Sequence, residues 1–508
     1  MELKAKPKTK LKRTIIIIFL VLNGFVILMP HTRSAPAQQP IRFLQPFWPT
    51  KIHGDPTGTV YVGDWDIFQN LYSTLVEMAS ANAVRPALAE RWTQSADGKH
   101  WVFYLRKNLR WSDGSSMTAE QIVASLKRSV KGTHHTNLSA YVESIKALPE
   151  HQIELLLKKT PPNFLTLLAF VDSSILHPDA YKNGKFSWDA PNSGAFRVVT
   201  YNDTKIEFIA NPYYWDHIPN RITNAVIVRA TSSPNERIAM MLKDPWDASQ
   251  INPGIIQTTE QVEQLKQKYD VFVSTPDFLF CLFFSKKRTS KNKLNLAYRQ
   301  YLLKSIYDGF WNHEKNNSLR AGGLRFPKSK GAISVDQFDE IISNFKSNLF
   351  QKNKKIPKNI EIVISHQTRQ KPQAEKFLNI LKSMGFKVKE IIVSGEDAHE
   401  KVRLSGDFDL DVMYAGVSEY DPDTVWRYYN RYFAEPVATT EELDKAQLES
   451  DANKRNKMYQ EFEKSAVEKA LFIPLKYEPT YIVTSKRVIL DPLLAADWGL
   501  QLFKLRMR

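Results

Sequence analysis

The residues best suited to chemistry sit in one short stretch, Ala415-Gly416-Val417-Ser418-Glu419-Tyr420-Asp421-Pro422, with Trp426 close behind. Two carboxylates lie two residues apart, interleaved with hydroxyls. Such a set suits the capture of a cation: a carboxylate partly withdrawn from water pairs strongly with an ammonium group. Gly416, Ser418, Glu419, Tyr420, Asp421 and Trp426 are therefore the candidate ligand-binding residues. Reactive motifs are missing elsewhere. The chain has no G-x-S-x-G elbow, no H-E-x-x-H and no phosphate-binding G-x-x-x-x-G-K-[ST] loop. Ser290-x-x-Lys293 and Ser343-x-x-Lys346 fit an S-x-x-K pattern, but neither K-T-G nor S-D-N accompanies them. The 11 histidines are scattered, and only His134-His135 are adjacent, on a predicted loop. Cys281, the single cysteine, excludes an internal disulfide and Cys-rich metal sites. It lies in the apolar run Phe278 to Phe284 and reads as a buried, inert thiol. No catalytic residue, metal or cofactor is expected, and no enzyme activity.

The acidic loop needs a scaffold. Phe408, Leu410, Val412 and Tyr414 alternate along the strand that leads into it. Before that come a strand over Ile360 to Ile364, a helix over Gln373 to Met384 ended by Gly385, and a strand over Phe386 to Val393. Strand, helix, strand in succession implies a parallel sheet with right-handed crossovers, and ligands bind beyond the carboxyl ends of such strands. The loop is thereby placed at a cleft. Leu294 to Ile306 and Asn453 to Ala470 are predicted helices, and Phe472 starts a closing strand.

Nearer the N-terminus, Leu71 to Arg128 reads as strand, turn, strand, turn, helix. Asp97-Gly98 is a tight turn, Trp101 to Leu105 a strand, and Trp111 to Gly114 a second turn. Thr118 opens a helix with Gln121 as its capping-box partner. Val142 to Leu157 reads as two strands, and Arg197 to Tyr201 with Lys205 to Ala210 as a hairpin. A strand at Ala225 to Ala230, a helix opening at Ser233-Pro234 and extended chain at Trp246 complete a βαβ unit. Residues 38–70, rich in Pro, Gly and Trp, are expected to form short strands with turns.

With 508 residues, 43% of them hydrophobic, the chain can form two or three lobes. The net charge is +16. Part of it lies before Thr14, where six basic residues precede the apolar run Ile15 to Met29 and then Ala35-Pro36-Ala37. This order is that of a secretory signal peptide cut after Ala37, with an uncleaved anchor as the alternative. No cysteine lies near the cut, so no lipid anchor is expected there. The basic clusters Lys286-Lys287-Arg288 and Lys354-Lys355 come without any nucleic-acid-recognition motif, so no nucleic-acid partner is expected.

Literal residues add a resemblance. Pro86-Ala-Leu-Ala-Glu90-x-Trp92, then Ser95-x-Asp97-Gly98-x-x-Trp101-x-Phe103-x-Leu105-Arg106, then Trp111-Ser-Asp-Gly114 and Thr118-Ala-Glu120 follow one order. So does Asn211-Pro212-x-Tyr214-Trp215, with Ala210 where Arg is usual, and the Leu294–Ile306 helix with Arg299 and Asp308. The order resembles family 5 of the bacterial extracellular solute-binding proteins, which includes the oligopeptide- and dipeptide-binding components of ABC importers. The resemblance implies an α/β fold of the type II periplasmic binding class: two α/β lobes with a cleft and hinge, plus an extra α+β lobe. After the signal at 1–37, it implies lobe I from 38–70, 190–280 and 478–508, lobe II at 71–189 and lobe III at 281–477. It also implies a periplasmic, monomeric protein that closes on a short peptide and passes it to an inner-membrane ABC permease complex.

Peptide-binding members carry a D-Y-x-(D/E)-P loop whose acid takes the peptide amino terminus. Aligned on Pro422, Glu419 falls on that acid and Asp421 on the second acidic position. The loop is one residue shorter, and Gly416 stands where peptide binders have Trp. The alternatives are a non-peptide solute (an oligosaccharide, opine, nickel chelate or haem) or a sensor or chaperone role without a transporter.

Overall fold

The computed structural model describes residues 39–490 and 501–508, apart from 46–54, 59–61, 81–82, 133–137, 183–184, 218–220, 231–233, 252–258, 292, 313–318, 326–328, 330, 346–358, 417–421 and 434. The expected signal and its cleavage site lie outside the described residues, as does His134-His135.

Among the described residues, ten strands form one continuous sheet, in the order 196–201, 205–210, 224–229, 41–45, 248–251, 472–485, 269–284, 410–416, 359–365, 387–393. On one side the strand Ile41–Gln45 lies parallel to both Asn224–Arg229 and Ala248–Ile251. On the other, Asn359–Ser365 lies parallel to Lys387–Val393 and Leu410–Gly416, the parallel arrangement expected of strand–helix–strand units. Two unusually long antiparallel strands, Tyr269–Phe284 and Phe472–Ser485, run through both sides.

Their pairing is irregular between Val273 and Phe278, where Pro276 faces Pro479. Neither proline has an N–H to give to the ladder, so the hydrogen-bonded ribbon is interrupted at one level on both strands. The Thr480 N–H donates instead to Ser274 Oγ at 2.8 Å. The sheet is thus continuous, with its hydrogen-bonded ladder interrupted at this crossing.

Separate apolar cores flank the crossing. One gathers Ile41, Phe43, Phe68, Phe196, Phe208, Ile227, Ile482 and Phe503. Another holds Phe280, Cys281, Leu302, Ile362, Phe377, Val412, Trp426 and Phe472. Cys281 is fully buried, and burial pushes its thiol far up. A third core belongs to the four-stranded antiparallel sheet of Ala89–Gln94, His100–Leu105, Gln152–Leu157 and Val142–Leu148. The helix Ala119–Lys131 covers it with Ile122, Val123 and Leu126. Its capping box forms as expected, Thr118 accepting from the Gln121 N–H and Gln121 Oε1 from the Thr118 N–H.

One expectation fails. Val62–Leu71 is a helix, where residues 38–70 were expected to form strands and turns. Ile67, Phe68 and Leu71 share the inward face, a spacing that only a helix brings together, and Asn70 Nδ2 donates to the Asp66 carbonyl one turn back.

The helix Glu396–Ser405 docks on the 410–416 strand through buried charge. Asp411 accepts from Arg403 Nε at 2.6 Å and pairs with His399 Nε2 at 2.6 Å. Arg403 also reaches Glu400 at 2.9 Å, and the Tyr432 hydroxyl donates to Glu400 at 2.8 Å.

Candidate functional site

Strand direction decides where a ligand meets this fold. On the first side, the carboxyl end of Ile41–Gln45 presents Gln45, whose carbonyl accepts from the Ala230 N–H at 2.9 Å. Ala230 leads to the helix Pro234–Lys243 and to Arg237, which is fully buried. On the opposing side, the carboxyl end of Asn359–Ser365 runs through the short helix His366–Arg369 to Lys371. The neighbouring strand Leu410–Gly416 brings Tyr414 to the same edge. Glu478 sits beside Pro479 at the crossing of the two long strands.

These side chains converge. The Lys371 ammonium lies 3.5 Å from the centre of the Tyr414 ring, a cation–π contact. Gln373 Nε2 donates to Glu478 Oε1, and Lys476 Nζ lies 3.3 Å from the same oxygen. Lys371 and Glu478 are both buried. Burial pushes the Lys371 ammonium down to about 7, against the pull of Glu478 and with the help of the Arg237 charge. Burial, reinforced by Glu478, pushes the Tyr414 phenol well up. The charge of Arg237, from the first side, thus adds to the burial that lowers Lys371 on the opposing side. At the same edge of the first side, Gln45 Nε2 donates to the buried Asp66 carboxyl at 2.5 Å, and burial raises that acid to about 7.

Because folding lowers the Lys371 pKa, the folded state holds this proton less tightly than the unfolded chain. The resulting cost is fully present below about pH 7 and is relieved as pH rises toward the ordinary lysine value of 10.5. Lys371→Met is expected to raise the melting temperature by a few degrees at pH 6, with the gain shrinking by pH 10. Thermal melts of both proteins across that range check this.

Of the candidates from sequence, Gly416 ends its strand at this edge, and its carbonyl accepts from the Tyr429 hydroxyl at 3.2 Å. Among the described residues, a Cβ added there meets no heavy atom within 4 Å. Ser418, Glu419, Tyr420 and Asp421 lie outside the described residues. Trp426 does not sit at the surface of a cleft. It is fully buried on the helix Pro422–Asn430, its ring packed against Phe433 in the core. Its apolar face was the better guide to its place than its nearness to the loop. Sequence reasoning missed Gln45, Asp66, Arg237, Lys371 and Glu478. One of them carried a signal: Glu478 precedes Pro479 within the strand Phe472–Ser485, where a charge in a largely apolar run has no packing role.

Comparison with known proteins agrees with this architecture. The profile of "Bacterial extracellular solute-binding proteins, family 5 Middle" matches residues 83–296. The probable D,D-dipeptide-binding periplasmic protein DdpA of Escherichia coli (strain K12) is 23% identical over 477 residues, covering 87% of this chain and 90% of that protein. Among solved structures, the ABC transporter-associated periplasmic binding protein DppA from Helicobacter pylori, in complex with peptide STSA, superposes with a TM-score of 0.74 at 18% identity, covering 92% of this chain and 98% of that one. AgaA from A.tumefacien R10, in complex with agropinic acid, gives 0.73 at 17%, covering 92% and 98%. The profile match over residues 83–296, the near full-length relative and the shared fold agree: the chain has the type II periplasmic-binding fold and is similar to family 5 of the bacterial extracellular solute-binding proteins.

Proposed function

We propose that the protein captures short peptides in the periplasm by closing its lobes around them, and delivers them to an inner-membrane ABC permease for import. The observation that carries this reading is Lys371, buried over the Tyr414 ring at the carboxyl edge of the opposing side, where the charges of Glu478 and of Arg237 from the first side both act on it. Such a crevice suits a ligand with charged ends: Lys371 and Arg237 attract its carboxylate, and Glu419, on the chain just beyond Gly416, takes its ammonium. A peptide held between them contributes a backbone that can pair as a strand, which gives affinity with little side-chain selectivity. The name of DdpA and the peptide held by the H. pylori protein support the class. The protein acts as a monomer, released from its signal after Ala37.

A second reading has its own support. Gly416 stands where peptide binders carry Trp, and the Lys371 and Arg237 charges also suit an acidic non-peptide solute, as the agropinic acid bound by AgaA illustrates. Native mass spectrometry of protein purified gently from the periplasm separates the two. A ladder of adducts that fragments into short peptides is the expected result, on a chain beginning at Gln38. One discrete non-peptide mass shifts the substrate to the second reading. An empty protein that ignores a peptide library removes peptide import altogether.

A further inference from the structure

The side lobe built on residues 89–157 also touches the opposing lobe, through one nine-residue helix, Thr440–Leu448. This helix is shared between two cores. Leu443 and Ala446 are buried in the core that contains Trp426, and Leu448 packs against the core of the side lobe. On the same flank, Gln447 accepts a hydrogen bond from the Tyr141 hydroxyl, with both residues buried. Asp444 pairs with Lys159 of the side lobe at 3.4 Å.

Arg427 connects this contact to the candidate ligand loop. It lies on the helix that starts at Pro422, directly after that loop, and reaches Asp444 at 2.8 Å and Gln447 at 3.3 Å. It holds Asp423, in the first turn of its own helix, through a third bond. An unbroken set of polar contacts thus runs from the first turn after residue 421 to Tyr141.

The two attachments of the side lobe differ in kind. It is fastened to the first lobe through the main chain: the Ser112 N–H donates to the Asn192 carbonyl at 2.9 Å, and the Asn192 N–H to Ser112 Oγ at 3.0 Å. Its hydrogen bonds to the 440–448 helix, among the described residues, run between side chains alone. A rotation about Pro276 and Pro479 carries the opposing lobe away from the first lobe and leaves the side lobe behind, so the Tyr141–Gln447 and Lys159–Asp444 pairs part when the crevice opens.

We infer that the 440–448 helix is a closed-state latch. Tyr141 and Lys159 clasp it when the lobes close, and Arg427 is a positioning residue that ties the latch to the start of the 422–430 helix. Neither the solute nor the ligand role of Glu419 enters this inference; only an effect on solute retention rests on the proposed function.

The test needs no ligand. Cysteines are placed at Lys159 and Asp444, the accessible pair across the same contact, in the mature protein and joined with a short bismaleimide; Cys281 is buried and stays silent. Small-angle scattering then compares linked protein, unlinked protein and Tyr141→Phe. The linked form is expected to be the most compact and Tyr141→Phe the most extended. Amide exchange over 440–448 should rise about fivefold in Tyr141→Phe, the equivalent of one neutral hydrogen bond. If Tyr141→Phe fails to fold, Gln447→Met removes the same bond from the other side. Identical radii and identical exchange in all forms overturn the latch, because the contact is then permanent. A latch that holds in a protein found empty of peptide would leave the latch standing and the peptide reading fallen.

Discussion

Asp411→Ala is expected to lower the free energy of unfolding by about 3–5 kcal/mol, because it leaves the buried Arg403 guanidinium without its counter-charge. Asp411 is inaccessible to solvent, and both of its oxygens are engaged, by His399 and by Arg403. Burial alone would favour the neutral acid, but the Arg403 charge and the His399 contact outweigh it and hold the carboxyl below its ordinary range. The sign of the pH effect follows. A carboxyl whose folded pKa is depressed contributes stability above its unfolded value, and that contribution is lost as pH falls through the folded value. The wild type should therefore lose stability in acid more steeply than Asp411→Ala, whose curve should be flatter below about pH 4. Denaturant unfolding at several pH values checks both claims. Asp411→Asn keeps the shape but not the charge, and should fall between the two. Parallel curves for all three would mean that the triad is worth no more than neutral packing.

Glu419→Gln is the counterpart at the ligand. If Glu419 caps a peptide ammonium in the closed crevice, its loss should weaken binding by about 2–5 kcal/mol. That is a factor of about 30 to several thousand in Kd. Titration of a peptide and of its N-acetylated form against both proteins makes the test specific. Acetylation removes the ammonium, so the two changes should be non-additive: Glu419→Gln should matter little for the acetylated peptide. Full additivity, or an unchanged affinity, takes Glu419 out of the site and directs attention to Asp66, the buried acid beside Gln45 on the other side.

What could be read in the sequence divides along a physical line. Thr118 and Gln121 are three residues apart and bond to each other, so the helix start was legible. The strands at 359–365, 387–393 and 410–416 were legible because each carries its own alternation or apolar run. Gly385, at φ +87°, closes its helix as its residue type implies. The long strand Tyr269–Phe284 was not legible as one element. A proline breaks its run, and its partner lies some 200 residues away. Val62–Leu71 was misread because composition was averaged over Pro- and Gly-rich neighbours, which hid the inward spacing of Ile67, Phe68 and Leu71. The candidate site splits in the same way. The acidic loop is a local pattern with a family counterpart. Lys371, Arg237 and Glu478 acquire their character from burial in the fold, which no window along the chain contains. Trp426 shows the reverse error, since nearness to a loop says little about which way an indole faces.

The two crossing strands also constrain how the chain can be made. The first strand of the sheet, Ile41–Gln45, pairs with residues 224–229 and 248–249, and the next strand in the sheet pairs residues 248–251 with 481–484. Residues 502–505 then complete the core that Ile41 and Phe43 began, and the Leu502 N–H bonds to Asn70. During synthesis from the amino terminus, the opening segment must wait for almost the whole chain before its surroundings exist. The side lobe, by contrast, draws its four strands from within residues 89–157 and can fold early on its own contacts. Assembly should therefore be ordered: side lobe first, then the opposing lobe, and the first lobe only when the last strand arrives. A chain truncated before residue 472 should retain a folded side lobe, while the strand Ala248–Ile251 is left without its partner at 481–484.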